Sequence, residues 1–257
     1  MLNNIRVFEN IFLFLDYDGT LSGLRRDPKK ARPSKRIKKI ISLLADDPSI
    51  VVTIVSGRRI DELLDFFSDF NTSRINWSGV HGLEMKFGSN GIIRPYKTGT
   101  VLPKIGKIKK ELFNIVNQYP CYRFEDKELS LALHYRKCSK NAIFLLDRIK
   151  DIIKKYEQDR SVEIMYMKKV IEIKPAGINK GNAIKAVISR SERNINHSIN
   201  ICVGDDITDE YLFRANPDGI NLKVGKTAGE KVASEYFLNG VGDVHWFLNK
   251  ISRLYRK

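Results

Sequence analysis

Two carboxylates one residue apart, Asp16 and Asp18, close the apolar run Ile11 to Leu15 and are followed at once by Gly19 and Thr20. The run reads as a buried strand, and in an open α/β sheet the carboxyl ends of strands are where ligands bind. A D-x-D pair there can divide labour: one carboxylate attacks and helps hold a cation, while the other shuttles a proton. Asp-Gly after a strand is also ordinary turn chemistry, so the pair alone leaves both readings open. A second acidic cluster far along the chain weighs for chemistry. Gly204-Asp205-Asp206-Ile207-Thr208-Asp209-Glu210 follows the apolar run Ile199 to Val203 and sets four carboxylates within six residues. Unpaired, they would repel one another; a hard cation with oxygen ligands, such as Mg²⁺, resolves that repulsion. Asp206 or Thr208 could equally cap the helix that begins with Tyr211-Leu212-Phe213, and the two roles can coexist.

These residues need a frame. Val51 to Val55 is a continuous apolar run, as expected of a parallel strand buried on both faces. It ends at Ser56-Gly57-Arg58, where a helix bearing Ile60, Leu63, Leu64 and Phe67 begins. A hydroxyl and backbone N–H groups at a helix start make an anion site, although Ser56 would also serve as a plain N-cap. Earlier, Pro33 is placed to open a helix whose Ile37, Ile40, Ile41 and Leu44 face inward and whose Lys35, Arg36, Lys38 and Lys39 lie mostly on the solvated side. Ile75 to Gly82 reads as a strand and turn, with His81 as a supporting residue. Gly88-Ser89-Asn90-Gly91 signals a hairpin between Leu83 to Phe87 and Ile92 to Tyr96.

The strand–helix alternation stops near Gly99 and resumes near Lys180, which divides the chain into a core (1–98 and 176–257) and an inserted domain (99–175). The insert reads as helices over 103–118 and 141–156 with alternating strands. Leu129, Leu131, Leu133 and Tyr135 face the helices; Ser130, Ala132, His134 and Arg136 face away, as do Val170, Glu172 and Lys174 opposite Ile171 and Ile173. Lys180-Gly181 opens a helix with Ala183, Ile184, Val187 and Ile188 inward, 219–224 reads as a late strand and 244–254 as a closing helix.

Composition is that of a soluble globular protein, with 257 residues and no apolar run near the roughly 20 residues of a membrane span. The N-terminus lacks a secretory apolar region, and a cytoplasmic address is expected. Cys121, Cys138 and Cys202 are odd in number, widely spaced and without a C-x-x-C, which reads as thiols rather than a disulfide framework or zinc site. The net charge of +15 raises the question of a nucleic-acid partner. The basic runs 25–39 and 104–110 lack interleaved aromatics and fall on expected helices, so a lysine bias is preferred.

Asp16-Tyr17-Asp18-Gly19-Thr20, Ser56-Gly57-Arg58, Lys180-Gly181 and Gly204-Asp205-Asp206-Ile207-Thr208-Asp209-Glu210 occur in the order of the four motifs of haloacid-dehalogenase-like (HAD) phosphatases. More narrowly, Val80-His81-Gly82, Glu125-Asp126-Lys127, Leu131 to Arg136 and Glu172-Ile173-Lys174-Pro175 make the whole chain resemble the trehalose-6-phosphate phosphatases. The resemblance implies an α/β fold: a HAD-like Rossmannoid parallel-sheet core with an inserted α+β cap of the C2 type. It implies Mg²⁺-dependent hydrolysis of trehalose 6-phosphate to trehalose and phosphate, the last step of trehalose biosynthesis, through an aspartyl-phosphate. Asp16 is then nucleophile, Asp18 general acid and base, Ser56 and Lys180 phosphoryl and nucleophile contacts. Mg²⁺ is held by Asp16, the main-chain carbonyl of Asp18 and Asp205, with Asp206 and Asp209 supporting. Glu125, Lys127, Arg136 and Glu172 read the sugar, with Asn141 and Arg58 as further substrate-binding candidates. Ser22-Gly23 stands where many relatives have a proline, and Lys174 where an arginine is common; these leave room for a sibling substrate, namely glucosylglycerol phosphate, glucosyl-3-phosphoglycerate or sucrose phosphate. A non-catalytic subunit of a trehalose-synthesising complex is the alternative of another class, and a trehalose-6-phosphate synthase is a candidate partner.

Overall fold

The computed structural model describes residues 5–25, 27–138, 145–167, 169–225 and 232–255. They form two compact units, Met1–Pro95 with Asn179–Lys257, and Tyr96–Ile178, where the sequence pattern places the changes at 98/99 and 175/176.

The first unit is built on a seven-stranded sheet in the order β11-β10-β9-β1-β2-β3-β4. Its strands are β1 (Asn10–Asp16), β2 (Ile50–Val55), β3 (Ile75–Gly79), β4 (Glu84–Lys86), β9 (Ser198–Gly204), β10 (Ile220–Val224) and β11 (Tyr236–Leu238). All neighbours pair in parallel except β3 with β4. Between its polar ends, Asn10 and Asp16, the strand β1 is apolar because both its faces are covered. Ile11, Leu13 and Leu15 belong to one buried cluster, shared with α1 (Lys35–Asp46) and α7 (Val241–Leu254). Phe12 and Phe14 belong to another, with α5 (Asn182–Ile188) and α6 (Asp209–Arg214). Because β1 lies between β9 and β2, the three chain ends that carry the candidate chemistry emerge side by side. Asp16 pairs in register with Val55, and Leu15 with Val203.

The second unit is a four-stranded antiparallel sheet, β5-β6-β8-β7, formed by β5 (Arg123–Asp126), β6 (Leu131–His134), β7 (Val162–Met167) and β8 (Val170–Pro175). Its core joins Leu131, Leu133, Ile171 and Ile173 to Ile105, Ile108 and Leu112 of α3 (Leu102–Val116) and to Leu145, Ile149 and Ile153 of α4 (Leu145–Glu157). The alternation in the strands and the i, i+3/i+4 spacing in the helices account for this two-layer packing.

Several expectations are corrected. Cys121 and Cys138 are disulfide-bonded, and only Cys202 is a free, buried thiol among the described residues. Folding of β5 back on β6 brings the first two to a Cα–Cα distance of 4.8 Å across 17 residues, a proximity that spacing alone cannot reveal. Pro33 does not open α1: Ser34 is its N-cap and its hydroxyl accepts from Ile37 N–H at 3.4 Å. Lys38 is buried rather than solvated, paired with Asp69 and lying over the Phe67 ring. The hairpin after β4 reduces to an isolated Met85–Ile93 bridge. Lys174 is 1 % exposed, its ammonium donating to Glu163 at 2.7 Å and to the Ile178 carbonyl at 2.5 Å.

Leu13 is fully buried in the central strand, so Leu13→Ala is expected to lower the unfolding free energy by about 2–5 kcal/mol in a urea titration. Phe237→Ala, on edge strand β11 with 56 % of its surface exposed, is expected to stay within about 0.5 kcal/mol. Equal losses would contradict this placement of the core.

Candidate active site

At the carboxyl end of β1, Asp16 is buried and Lys180 reaches it from the turn before α5. The Lys180 ammonium donates to Asp16 Oδ1 at 2.7 Å and to Asp209 Oδ1 at 2.7 Å, with Asp206 Oδ1 at 3.8 Å. Burial by itself would push Lys180 down. The carboxylates of Asp16, Asp209 and Asp206 outweigh it and hold the ammonium well above its ordinary range. Asp16 is driven well above the usual carboxylate range by burial and by Asp209, against the pull of Lys180. One ammonium therefore faces a group of carboxylates that it cannot neutralise alone.

The acidic loop is organised by Asp209, the first residue of α6. Its Oδ2 accepts the N–H groups of Asp205 at 2.9 Å and Asp206 at 3.0 Å, so this fully buried carboxylate acts as the loop's internal anchor. Gly204 permits that close approach, because a Cβ there would lie 2.2 Å from Asp209 Cγ. Thr208 is the N-cap residue of α6 but makes no side-chain cap hydrogen bond; Asp206 instead closes a local turn before the helix, its Oδ1 accepting from Thr208 N–H at 2.7 Å and from the Thr208 hydroxyl at 2.6 Å. Burial works against the Asp206 carboxylate, but Lys180, these Thr208 hydrogen bonds and His81 bring it to about 2.

Asp16, Asp205 and Asp209 offer carboxylate oxygens within 4.8 Å of one another, the geometry of a cation site. Among the described residues, Asp16 Oδ2 is a buried acceptor without a hydrogen-bond partner. Gly19, at φ +84°, lies so close to Asp205 that a Cβ would meet its Oδ2 at 2.0 Å. The D-x-D-G turn and the acidic loop thus share one small volume lined by oxygens, and the donor set suits a hard divalent cation. Burial, then Asp206 and Asp209, push Asp205 up to about 7.

Ser56 lies at the end of β2, nearly buried, with its Oγ accepting Arg58 N–H at 3.1 Å. The helix that follows, α2 (Ile60–Phe66), has Arg59 as its N-cap, so Ser56 is not the plain helix cap that the sequence left open. Arg58, expected among the substrate contacts, turns its guanidinium onto Asp18: Nε donates to Oδ2 at 2.6 Å and Nη2 to Oδ1 at 2.8 Å. His81 sits in a left-handed conformation (φ 56°) after Val80 (φ 47°), and its ring presses on Gly57, where a Cβ would meet Nε2 at 2.6 Å. Left-handed non-glycine residues carry strain, more so when β-branched as at Val80. The His81 N–H donates to the Ser56 carbonyl at 3.0 Å, which ties this strained turn to the Ser56 loop.

On the sheet of the second unit, Lys127 Nζ lies 3.2 Å from Glu172 Oε1, which also accepts from the Ser130 hydroxyl at 3.4 Å. Glu125 Oε2 lies 2.7 Å from His134 Nε2. The His134 contact, with Lys127 and Arg123 nearby and against the cost of burial, brings the Glu125 carboxyl down to about 2. Arg136 is exposed just beyond β6, and Asn141 lies outside the described residues. His134 is a candidate site residue that is not among the expected sugar contacts. Its signal was present in the alternation, since residues 132, 134 and 136 share a face with the charged positions.

A model of the family described as Trehalose-phosphatase matches residues 14–241. The chain is 29 % identical over 258 residues to a protein named probable trehalose-phosphate phosphatase J of Arabidopsis thaliana, covering 95 % of this chain and 67 % of that one. It is 30 % identical over 260 residues to a protein named alpha,alpha-trehalose-phosphate synthase [UDP-forming] B of Dictyostelium discoideum, covering 96 % of this chain but only 30 % of that one. The chain therefore spans about two thirds of the plant relative and under a third of the Dictyostelium one. Its fold superposes on the C-terminal domain of a C. albicans trehalose-6-phosphate phosphatase with a TM-score of 0.84 and 25 % identity, covering 98 % of this chain and 96 % of the other. Among the described residues, no helix is long and apolar enough to cross a membrane.

The raised Asp205 has a signed consequence for stability. Its folded value of about 7 exceeds the ordinary 3.8, so the folded state binds more protons in that window and the group's contribution to stability falls as pH rises through it. A divalent cation that holds the carboxylate form offsets this loss and stabilises by binding the native state. In thermal melts, the rise in Tm on adding the cation is expected to be larger at about pH 8 than at about pH 5 and to vanish in Asp205→Asn. A rise of equal size at both pH values would argue against this site.

Proposed function

This chain belongs to the trehalose-phosphatase family, and we propose that it hydrolyses trehalose 6-phosphate to trehalose and inorganic phosphate through a phosphorylated Asp16. The observation that carries the reading is the buried Asp16 carboxylate, gripped at one oxygen by Lys180 and set beside Asp205 and Asp209 at the carboxyl end of β1. A carboxylate so fixed and desolvated is a directed nucleophile.

In the first displacement Asp16 attacks phosphorus, the bond from phosphorus to the sugar oxygen breaks, and Asp18 gives that oxygen its proton. In the second, water attacks the same phosphorus while Asp18 takes the water's proton, releasing Asp16 and phosphate. Lys180 keeps Asp16 in place and faces the phosphoryl oxygens with positive charge, and Ser56 with the N–H groups around Gly57 receives those oxygens. Mg²⁺, when bound by Asp16, Asp205 and the Asp18 carbonyl with Asp206 and Asp209 in support, supplies charge neutralisation of the transferring group. Asp209, with both its oxygens engaged by Lys180 and the loop amides, shapes that site from within.

The sugar is read by the charged face of the second unit. Glu125, Lys127 and Glu172, with Arg136 and Asn141, offer donors and acceptors for a disaccharide's hydroxyls, and a mismatched sugar leaves these groups unpaired. The synthase name of the Dictyostelium relative makes a trehalose-phosphate synthase the candidate protein partner. The cytoplasmic setting belongs to this proposal as well. A Cys121–Cys138 bond that persists in cells would argue against that setting, because the cytosol keeps thiols reduced.

The test is phosphate release, with and without Mg²⁺, from trehalose 6-phosphate, glucose 6-phosphate, sucrose 6-phosphate, glucosylglycerol phosphate and glucosyl-3-phosphoglycerate. Trehalose 6-phosphate is expected to be preferred, and Asp16→Asn to abolish turnover while melting like the wild type. Preference for another glycosyl phosphate would keep the core and overturn the sugar reading. Cation-dependent release by Asp16→Asn at the wild-type rate would overturn the chemistry.

A further inference from the structure

Asp18, as proton donor and acceptor in the proposed reaction, has to present one oxygen first to the sugar oxygen and then to water. Its side chain follows the strand on a turn and is 32 % exposed. The terminal torsion of an aspartate is broad and nearly two-fold, so nothing in the residue itself fixes the plane of its carboxyl group. In this structure that plane is fixed from outside. The Arg58 fork engages both oxygens, Nε on Oδ2 at 2.6 Å and Nη2 on Oδ1 at 2.8 Å. A two-point contact between planar groups constrains orientation as well as distance, which a lysine at the same place could not do.

Arg58 is itself held on every side. It is 9 % exposed, its Nη1 donates to Glu62 one turn along α2, and its Nη2 also donates to the Pro28 carbonyl at 3.0 Å. The guanidinium packs on the rings of Tyr17 at 5.6 Å and Phe66 at 5.1 Å. Four of its five N–H groups are engaged by these partners. A side chain so committed has little capacity left for substrate, and it lies in a frame drawn from β1, the loop at Pro28 and α2. The fork takes one lone pair from each oxygen of Asp18 and leaves the outer pair of each for a proton.

We infer that Arg58 is the positioning residue of the proton donor, fixing the Asp18 carboxyl plane so that its outer lone pairs face the leaving oxygen, with Glu62 anchoring Arg58. The inference rests on the proposed role of Asp18. In the step concerned, the electron pair of the broken phosphorus–oxygen bond goes to the sugar oxygen, which takes the proton from Asp18. Loss of aim therefore matters only when the leaving atom needs a proton.

The experiment compares kcat/KM for trehalose 6-phosphate with that for its analogue carrying sulfur as the bridging atom, whose thiolate departs without protonation. Asp18→Asn, Arg58→Lys and Glu62→Gln are assayed in Mg²⁺ as full-length proteins. Because kcat/KM covers steps only through departure of the leaving group, later hydrolysis of the phosphorylated Asp16 does not blur the comparison. Arg58→Lys is expected to lose about 10–100-fold on the oxygen ester and less than about threefold on the sulfur analogue. Glu62→Gln, which keeps Arg58, is expected to show the same split at about 3–10-fold and serves if Arg58→Lys does not fold. Equal losses on both substrates, or no loss on either, would overturn the positioning role. If Asp18→Asn itself shows no split, the assignment of Asp18 as proton donor fails and the positioning role of Arg58 falls with it, whereas a split in Asp18→Asn without one in Arg58→Lys overturns the Arg58 role alone.

Discussion

The Lys180 ammonium sits between two buried carboxylates, Asp16 and Asp209, and the rest of the site depends on that contact. Taking charges out of water is costly, and close pairing offsets that cost only with good geometry. Here both contacts are 2.7 Å and both carboxylates are almost wholly buried. Asp16 ends the first strand, Lys180 precedes a helix 164 residues later, and Asp209 begins another helix after the strand next to β1. The contact therefore requires that the chain complete its excursion through the second unit and return. It joins both halves of the split first unit, so the site is complete only when the two halves are packed together.

Around that contact, small residues and backbone amides arrange the remaining charge. Gly204 lets Asp209 lie against the end of β9, and Gly19 lets Asp205 lie against the D-x-D-G turn. Neither glycine is needed for chemistry. Each removes a Cβ from a place that an oxygen has to occupy. The result is a concentration of carboxylates that a single ammonium cannot neutralise, and among the described residues Asp16 Oδ2 has no hydrogen-bond partner. An acidic pocket of this kind is an unfavourable place in an empty protein and a favourable one around a cation and the phosphoryl oxygens the cation would balance.

The second unit obeys a different logic. Its strands spend their apolar side on two helices, and the other side carries pairs such as Lys127 with Glu172 and Glu125 with His134. These pairs hold the charged groups of the sheet in fixed positions. The disulfide closes the hairpin that bears Glu125 and His134. Glu125 and His134 lie in the sheet itself and Lys127 just past the end of β5, so these charged pairs are set by the strands and their immediate ends.

The strands that end in acids, the order of the motifs, the break in alternation near residue 99 and the polar faces of the inserted strands are all legible in the residues alone. These are local properties: run length, period and neighbouring residue types decide them before anything packs. The partners of these groups follow only from packing. That Arg58 turns to Asp18 across 40 residues, that Lys38 is buried on Asp69, that Cys121 meets Cys138, and that His81 is forced into a left-handed turn against Gly57 all depend on how the strands are ordered and registered. A side chain's type states what it can donate or accept. Which group stands opposite it is set by contacts between residues distant in the chain, and these have no periodic trace in one sequence.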